Sequence, residues 1–408
     1  MTRVLLLLPS STYRAPDFVL AAEALGVEVV VGCERRQALA GAMGDRAVVV
    51  PLDDPVAAVE AIAASHRQSP LDAVVAVDDQ GVVIAALASE RLGLVHNPPD
   101  AVAATRDKVE MRRRLGRAGV SQPRWEVAGP GDDVAALARV VGLPCVVKPF
   151  SLSASRGVIR ADDPQGAVIA AARVRTILAD AGEDPDGPVL VERFIPGAEV
   201  AVEGLLQDAM LRVLAVFDKP DPLDGPYFEE TLYVTPSRLA TTVVAVVERR
   251  TAEAAAALGL SEGPVHAELR IDGDAVVVLE LAARTIGGLC ARSLRFGLGV
   301  SLEEVVLRHA LGISLDGLAR ETAASGVMML PIPAAGVLEH VGGQETAKSV
   351  PGIVGLEISI TPGRVVRPLP EGDRYLGFLF ARGDSPAAVE AALRQGQGCL
   401  DVVVTPAS

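Results

Sequence analysis

Short apolar runs and helically spaced stretches alternate over the first hundred residues. Residues 4–8, 27–31, 47–50 and 73–77 are nearly uninterrupted hydrophobic runs, and helical spacing appears at 17–25, 56–65 and 82–92. Strands that are apolar throughout, interleaved with helices, predict a parallel sheet covered on both faces. Ser10, Ser11 and Thr12 read as turn or cap residues after the first run. The pattern stops at Asn97-Pro98-Pro99, where two prolines interrupt it, so an α/β domain is expected over 1–97. A second domain is expected over 98–312, with a Gly, Pro and Asp-rich turn at 180–188. Runs at 326–332, 356–360, 375–382 and 399–404, with one helix at 386–394, predict a small α+β domain over 313–408.

Composition narrows the classes. The chain has 408 residues, half of them hydrophobic, which fits compact α/β proteins and excludes a disordered chain. A net charge of −14 argues against nucleic acid as a partner, because phosphate backbones are bound by clustered Lys and Arg. Cys33, Cys145, Cys290 and Cys399 are widely separated, without metal or disulfide spacing, so a reducing cytoplasm is expected. No stretch reaches the ~20 apolar residues of a membrane span, and the first nine residues are too short for a signal peptide. A soluble protein with no membrane partner is expected.

The chemistry concentrates between residues 100 and 312. In Val146-Val147-Lys148-Pro149 a lysine ends an apolar run, either as a strand-end lysine in solvent or with its stem packed and its ammonium directed to a phosphate. The small-residue loop Ser151-Leu152-Ser153-Ala154-Ser155-Arg156-Gly157-Val158 follows, suited to lying over phosphates with its N–H groups and hydroxyls. It is not a Walker A loop, and no G-x-G-x-x-G follows the first strand. Further on, the run from Val189 to Glu192 enters an Ile195-Pro196-Gly197 turn before Glu199, either a surface hairpin or a purine and ribose contact.

Two apolar strands flank an Asp272-Gly273-Asp274 turn, which predicts a hairpin. If it is symmetric about Asp274, Glu268 and Glu280 are cross-strand neighbours on one face. Facing carboxylates repel unless a cation lies between them, and Mg²⁺ bridging to phosphates would resolve that. Arg284, beside the Thr285-Ile286-Gly287-Gly288 turn, is placed to hold a carboxylate or acyl phosphate. His266 is expected to orient Glu268, and the Pro-rich segment 218–237 to cover the site.

In this order the pieces resemble the ATP-grasp superfamily over about 97–312, and the preceding α/β region fits its pre-ATP-grasp partner domain. The resemblance implies Lys108, in Thr105-Arg106-Asp107-Lys108, and Lys148 as ATP lysines, with Ser153 and Ser155 in the phosphate-covering loop. It also implies Glu192 and Ile195 as the adenine hinge and Glu199 as the ribose acid. Glu268 and Glu280 become the ligands of Mg²⁺, or of Mn²⁺ in its place, and Arg284 acts with Lys148 in catalysis. One position departs: Ala282 stands where many members have a ligating Asn. Glu280-Leu281-Ala282-Ala283-Arg284 followed by Gly287-Gly288, and Gly352-Ile353-Val354-Gly355-Leu356, resemble the L-amino-acid ligase branch. That branch implies an ADP-forming ligase joining a small carboxylate to an amine through an acyl phosphate, with amino acids as substrates and a homodimer compatible with it. A bicarbonate-using carboxylase is a rival, but no Arg-x-Gln-Val-Glu-His follows Arg284. An inactive nucleotide-binding regulator is the other, for which Ala282 leaves room.

Overall fold

The structure is a computed structural model describing residues 2–10, 12–36 and 40–406; Ser11 lies outside the described residues. The N-terminal sheet runs in the order Ala47–Val49, Glu28–Cys33, Arg3–Leu7, Ala73–Ala76, with every pair parallel. Helices Ala15–Leu25, Pro55–Gln68 and Val82–Leu92 supply Phe18, Ile62 and Ile84 to the cores on its two faces. The Asp54 carboxylate accepts from the Val56 and Ala57 N–H groups and so starts the second helix. Winding reverses beside the first strand, so the crevice where ligands gather lies between the ends of Arg3–Leu7 and Ala73–Ala76. The loops leaving those ends carry Tyr13 and Asp78-Asp79.

A second, antiparallel four-stranded sheet orders Trp125–Ala128, Val189–Arg193, Cys145–Pro149 and Ile159–Ala161. Helices Val134–Val141 and Pro164–Asp180 bury their apolar residues against it, in a core of Val134, Ala138, Val174 and Leu178. This unit forms a lid.

The lid faces a central sheet of eight strands. Their order is Ala275–Ala282, Gly263–Asp272, Ala198–Gln207, Met210–Lys219, Leu232–Thr235, Ala324–Leu330, Gly377–Gly383 and Ile353–Ile358. The sheet passes straight through the division expected near residue 313, because Leu232–Thr235 pairs antiparallel with Ala324–Leu330. Glycine permits the approach there: a Cβ on Gly326 would lie 2.8 Å from the Tyr233 carbonyl oxygen. A three-stranded sheet of Val365–Val366, Gly336–Gly342 and Asp401–Thr405 completes the C-terminal region. Among the described residues no helix is long and apolar enough to cross a membrane.

Candidate functional site

One cavity of about 300 Å³ lies where the lid, the central sheet and the N-terminal loops meet. Lys108, Lys148, Ser153, Ser155, Glu192, Ile195, Glu199, Glu268, Glu280 and Arg284 all line it, so these ten candidate site residues come together.

The lysines enter from two directions. Lys148 ends the strand Cys145–Pro149, and its ammonium lies 2.7 Å from Glu192 Oε2. Burial lowers the Lys148 pKa, and the Glu192 charge offsets this only partly. Glu192 also accepts from Arg112 Nε at 2.5 Å; burial resists its ionisation, but the Arg112 and Lys148 charges outweigh that and hold its pKa down at about 2. The Glu192 side chain is therefore occupied within the protein. The Arg193 and Phe194 N–H groups donate to the Arg124 and Pro144 carbonyls, and the Ile195 carbonyl accepts from Arg270 Nη1 at 2.8 Å. Lys108 opens the helix Lys108–Arg117, started by an Asp107 cap, and donates to the Leu152 carbonyl at 3.1 Å. It thereby contacts the small-residue loop, in which Ala154 and Ser155 hold left-handed backbone angles of +56° and +55°.

The acids occupy the sheet side. Glu268 and Glu280 are paired across the strands Gly263–Asp272 and Ala275–Ala282, in the register expected of the hairpin. The reason differs from symmetry about Asp274, because Asp272 pairs with Ala275 and the register shifts by one at Leu279. The Leu279 carbonyl accepts from Arg112 Nη2 at 2.6 Å, which fixes this bulge. Glu199 does not present a free carboxylate: Oε1 accepts from Lys219 at 2.7 Å and Oε2 from Arg270 Nε at 2.8 Å.

Sequence reasoning overlooked several residues. Lys219 is buried, 2.7, 2.6 and 3.1 Å from the carboxylates of Glu199, Glu230 and Glu268, with its ammonium 4.9 Å from the Tyr233 ring centre. Burial opposes its charge, but these three acids raise its pKa well above the ordinary value. Its signal was legible: Phe217-Asp218-Lys219-Pro220 repeats the strand-Lys-Pro pattern of Lys148-Pro149. Burial and the Glu268 charge push Glu230 upward, against the pull of Lys219. The segment 218–237 does reach the site, supplying Leu223, Phe228 and Glu230 to its wall. His266 bonds chiefly to the fully buried Glu203, Nδ1 to Oε1 at 2.9 Å, with Nε2 3.8 Å from Glu268. Burial disfavours its charge, yet the hydrogen bond to Glu203 and the nearby Glu268 carboxylate raise its pKa to about 9. Asp79, Arg106 and Arg112 carried no local signal.

The donor set fits a divalent cation. Glu268 and Glu280 offer hard oxygens from adjacent strands, with side chains 25% and 33% exposed toward the cavity. Lys219 lies 3.1 Å from the first and Lys108 3.5 Å from the second, so the pair is balanced by two ammonium groups. Glu199, Glu230 and Glu268 also converge within 4.8 Å, but there the Lys219 ammonium already fills the place of an ion. Ala282 lies opposite His266 and contributes no donor.

Comparisons agree with this geometry. Three family models match in chain order: ATP-grasp N-terminal domain over 19–96, ATP-grasp domain over 141–293, and L-amino acid ligase C-terminal domain 2 over 328–405. The solved L-amino acid ligase of Bacillus licheniformis superposes with a TM-score of 0.81 at 25% identity, covering 99% of each chain. Alanine–anticapsin ligase of Bacillus subtilis is 25% identical over 61% of this chain and 56% of its own length. Dapdiamide A synthase of Enterobacter agglomerans is 24% identical over 83% of this chain and 81% of its own. The chain thus spans little more than half the length of the anticapsin enzyme it matches. With the paired glutamates, the two lysines and the small-residue loop converging on one cavity, the chain contains an ATP-grasp domain, matches the L-amino acid ligase C-terminal domain and resembles the L-amino acid ligases in fold.

Proposed function

We propose that this protein is an ATP-dependent carboxylate–amine ligase that forms an amide between small molecules, at least one an L-amino acid, and releases ADP and phosphate. The observation that carries the reading is that the Glu268–Glu280 pair, Lys108, Lys148 and Arg284 line one cavity. The likeness to an L-amino acid ligase over nearly the whole chain supports the substrate class.

In the reaction, a substrate carboxylate oxygen attacks the γ-phosphorus of ATP, the bond to the ADP oxygen breaks, and an acyl phosphate forms. The amine nitrogen then attacks the acyl carbon, phosphate leaves, and the nitrogen loses a proton. Lys108 and Lys148 hold and neutralise the phosphates, and the loop with Ser153 and Ser155 supplies hydroxyls and N–H groups over them. Glu268 and Glu280 would hold Mg²⁺, which supplies charge neutralisation at the phosphates. Arg284 stabilises charge growing on the acyl phosphate, and the lid excludes water from it.

The test is ADP release with amino acids supplied singly and in pairs. Glu280→Gln should lower it by at least about 100-fold with the melting temperature retained, the range seen when a preorganised charge-stabilising group is lost. Full activity in that variant removes the metal assignment, and silence of the wild type with every amino acid removes the substrate class.

A further inference from the structure

Asp79 sits in the loop after the strand Ala73–Ala76, at the crevice of the N-terminal sheet, yet its partners Arg284 and Ser153 line the ligase site. Its Oδ1 accepts from Arg284 Nε at 2.8 Å and its Oδ2 from Arg284 Nη2 at 3.1 Å, a side-on bidentate pair. Oδ2 also accepts from the Ser153 hydroxyl at 3.0 Å, and Arg106 Nη1 lies 3.0 Å from Oδ1. Arg284 Nη1 donates to the Thr285 carbonyl at 2.8 Å. With that edge and the Asp79 edge taken, the remaining donors of the guanidinium are the end-on pair on Nη1 and Nη2. These match a carboxylate or phosphate approaching along the fork. Two arginines share one carboxylate, so the group keeps a net positive charge for such an anion.

We propose that Asp79 is a positioning residue: it aims the end of Arg284 at the reacting group and, through Ser153, ties the phosphate loop to that aim. The N-terminal domain thereby contributes to catalysis through Arg284. Arg284 is properly directed only when the loop lies in the position that brings Ser153 to Asp79. The inference rests on the ligase reading for its kinetic arm and stands apart from it for its structural arm.

The kinetic arm is a double-mutant cycle. Asp79→Asn should lower kcat for amino-acid-dependent ADP release by about 10- to 100-fold while KM for ATP stays within about threefold, because the lost contact orients rather than binds. In an Arg284→Ala background the same change should cost less than about twofold, since residues acting as a unit are not additive. Full additivity overturns the proposal. The structural arm is trypsin cleavage after Arg156, inside the loop, with ADP and Mg²⁺ present. Asp79→Asn should speed this cut by several-fold relative to cuts elsewhere, and an unchanged rate overturns the tie. If Asp79→Asn does not fold, Ser153→Ala takes its place in the protease assay with the same two outcomes. A wild type that releases no ADP with any amino acid defeats the ligase reading alone, because the protease result still decides the role of Asp79.

Discussion

Glu268 and Glu280 face each other because Leu279 is bulged out of the ladder between their strands. Below the bulge, Leu269 pairs with Val278 and Asp272 with Ala275; above it, Glu268 pairs with Glu280 and Ala267 with Leu281. Continued without the bulge, the lower register would set Glu268 against Leu279 and Glu280 against Ala267, turning Glu280 to the opposite face. Deleting Leu279 closes the bulge and seats Glu280 in its place opposite Glu268, so the pair survives and ADP release should stay within about tenfold. Leu279→Ala, which keeps the residue count, should retain activity within about tenfold. Rates of ADP release and melting curves for the two variants check this. A loss of more than about 100-fold on deletion alone would show that the bulge itself, through the Leu279 carbonyl held by Arg112, positions the pair.

The same bulge shows where the sequence was legible and where it was not. The apolar runs at 4–8 and 73–77 locate the strands Arg3–Leu7 and Ala73–Ala76, and the helix Val82–Leu92 has its expected bounds, because fully buried strands and amphipathic helices write themselves locally. The strand Gly336–Gly342 went unread, since Glu339 and His340 interrupt a short run whose burial comes from pairing with Asp401–Thr405. Lys148 was visible as a strand-end lysine. Its partner Arg112 was not, because nothing near Met111-Arg112-Arg113 reveals that one arginine of the group is 1% exposed and bonded to residues 80 and 167 positions away. Pairings of that kind belong to the tertiary fold.

Arg112 should be a stability residue. Arg112→Ala leaves the buried Glu192 with Lys148 alone and frees the Leu279 carbonyl, so a loss of about 3 kcal/mol or more is expected in chemical denaturation. The pH dependence follows from Glu192. Its folded pKa is depressed from 4.5 to about 2, so its contribution is present above pH 4.5 and disappears as pH falls toward 2. In Arg112→Ala the folded pKa rises back toward 4.5, so this acid-side loss should be smaller and end at higher pH. Parallel acid denaturation curves for the two proteins would contradict the assignment.

Gly157 should govern ATP affinity. It holds φ at +73°, donates to the Pro370 carbonyl at 3.0 Å, and a Cβ there would lie 3.2 Å from Pro149 Cδ. Gly157→Ala strains the closed loop by about 1–2 kcal/mol. If nucleotide binding requires that conformation, KM for ATP should rise by about 5- to 30-fold, with the melting temperature little changed. An unchanged KM would separate the loop from nucleotide binding.

Lys219 offers the sharpest electrostatic test. Its ammonium is the shared counter-charge of Glu199, Glu230 and Glu268, and Arg270 reaches only the first of these. Lys219→Met conserves much of the volume but leaves three converging carboxylates with too little positive charge. Breaking such a buried set by removing one partner costs about 3–5 kcal/mol. The three acids can recover stability by taking up a proton or a divalent cation, because their oxygens already lie within 4.8 Å of one another. The variant should thus melt well below the wild type in chelator and gain more than the wild type from millimolar Mg²⁺ or Mn²⁺. It should also lose ADP release, since an ion drawn into this cage takes Glu268 away from Glu280. A variant as stable as the wild type in chelator, with no added response to either ion, would mean that Lys219 does not hold these carboxylates together.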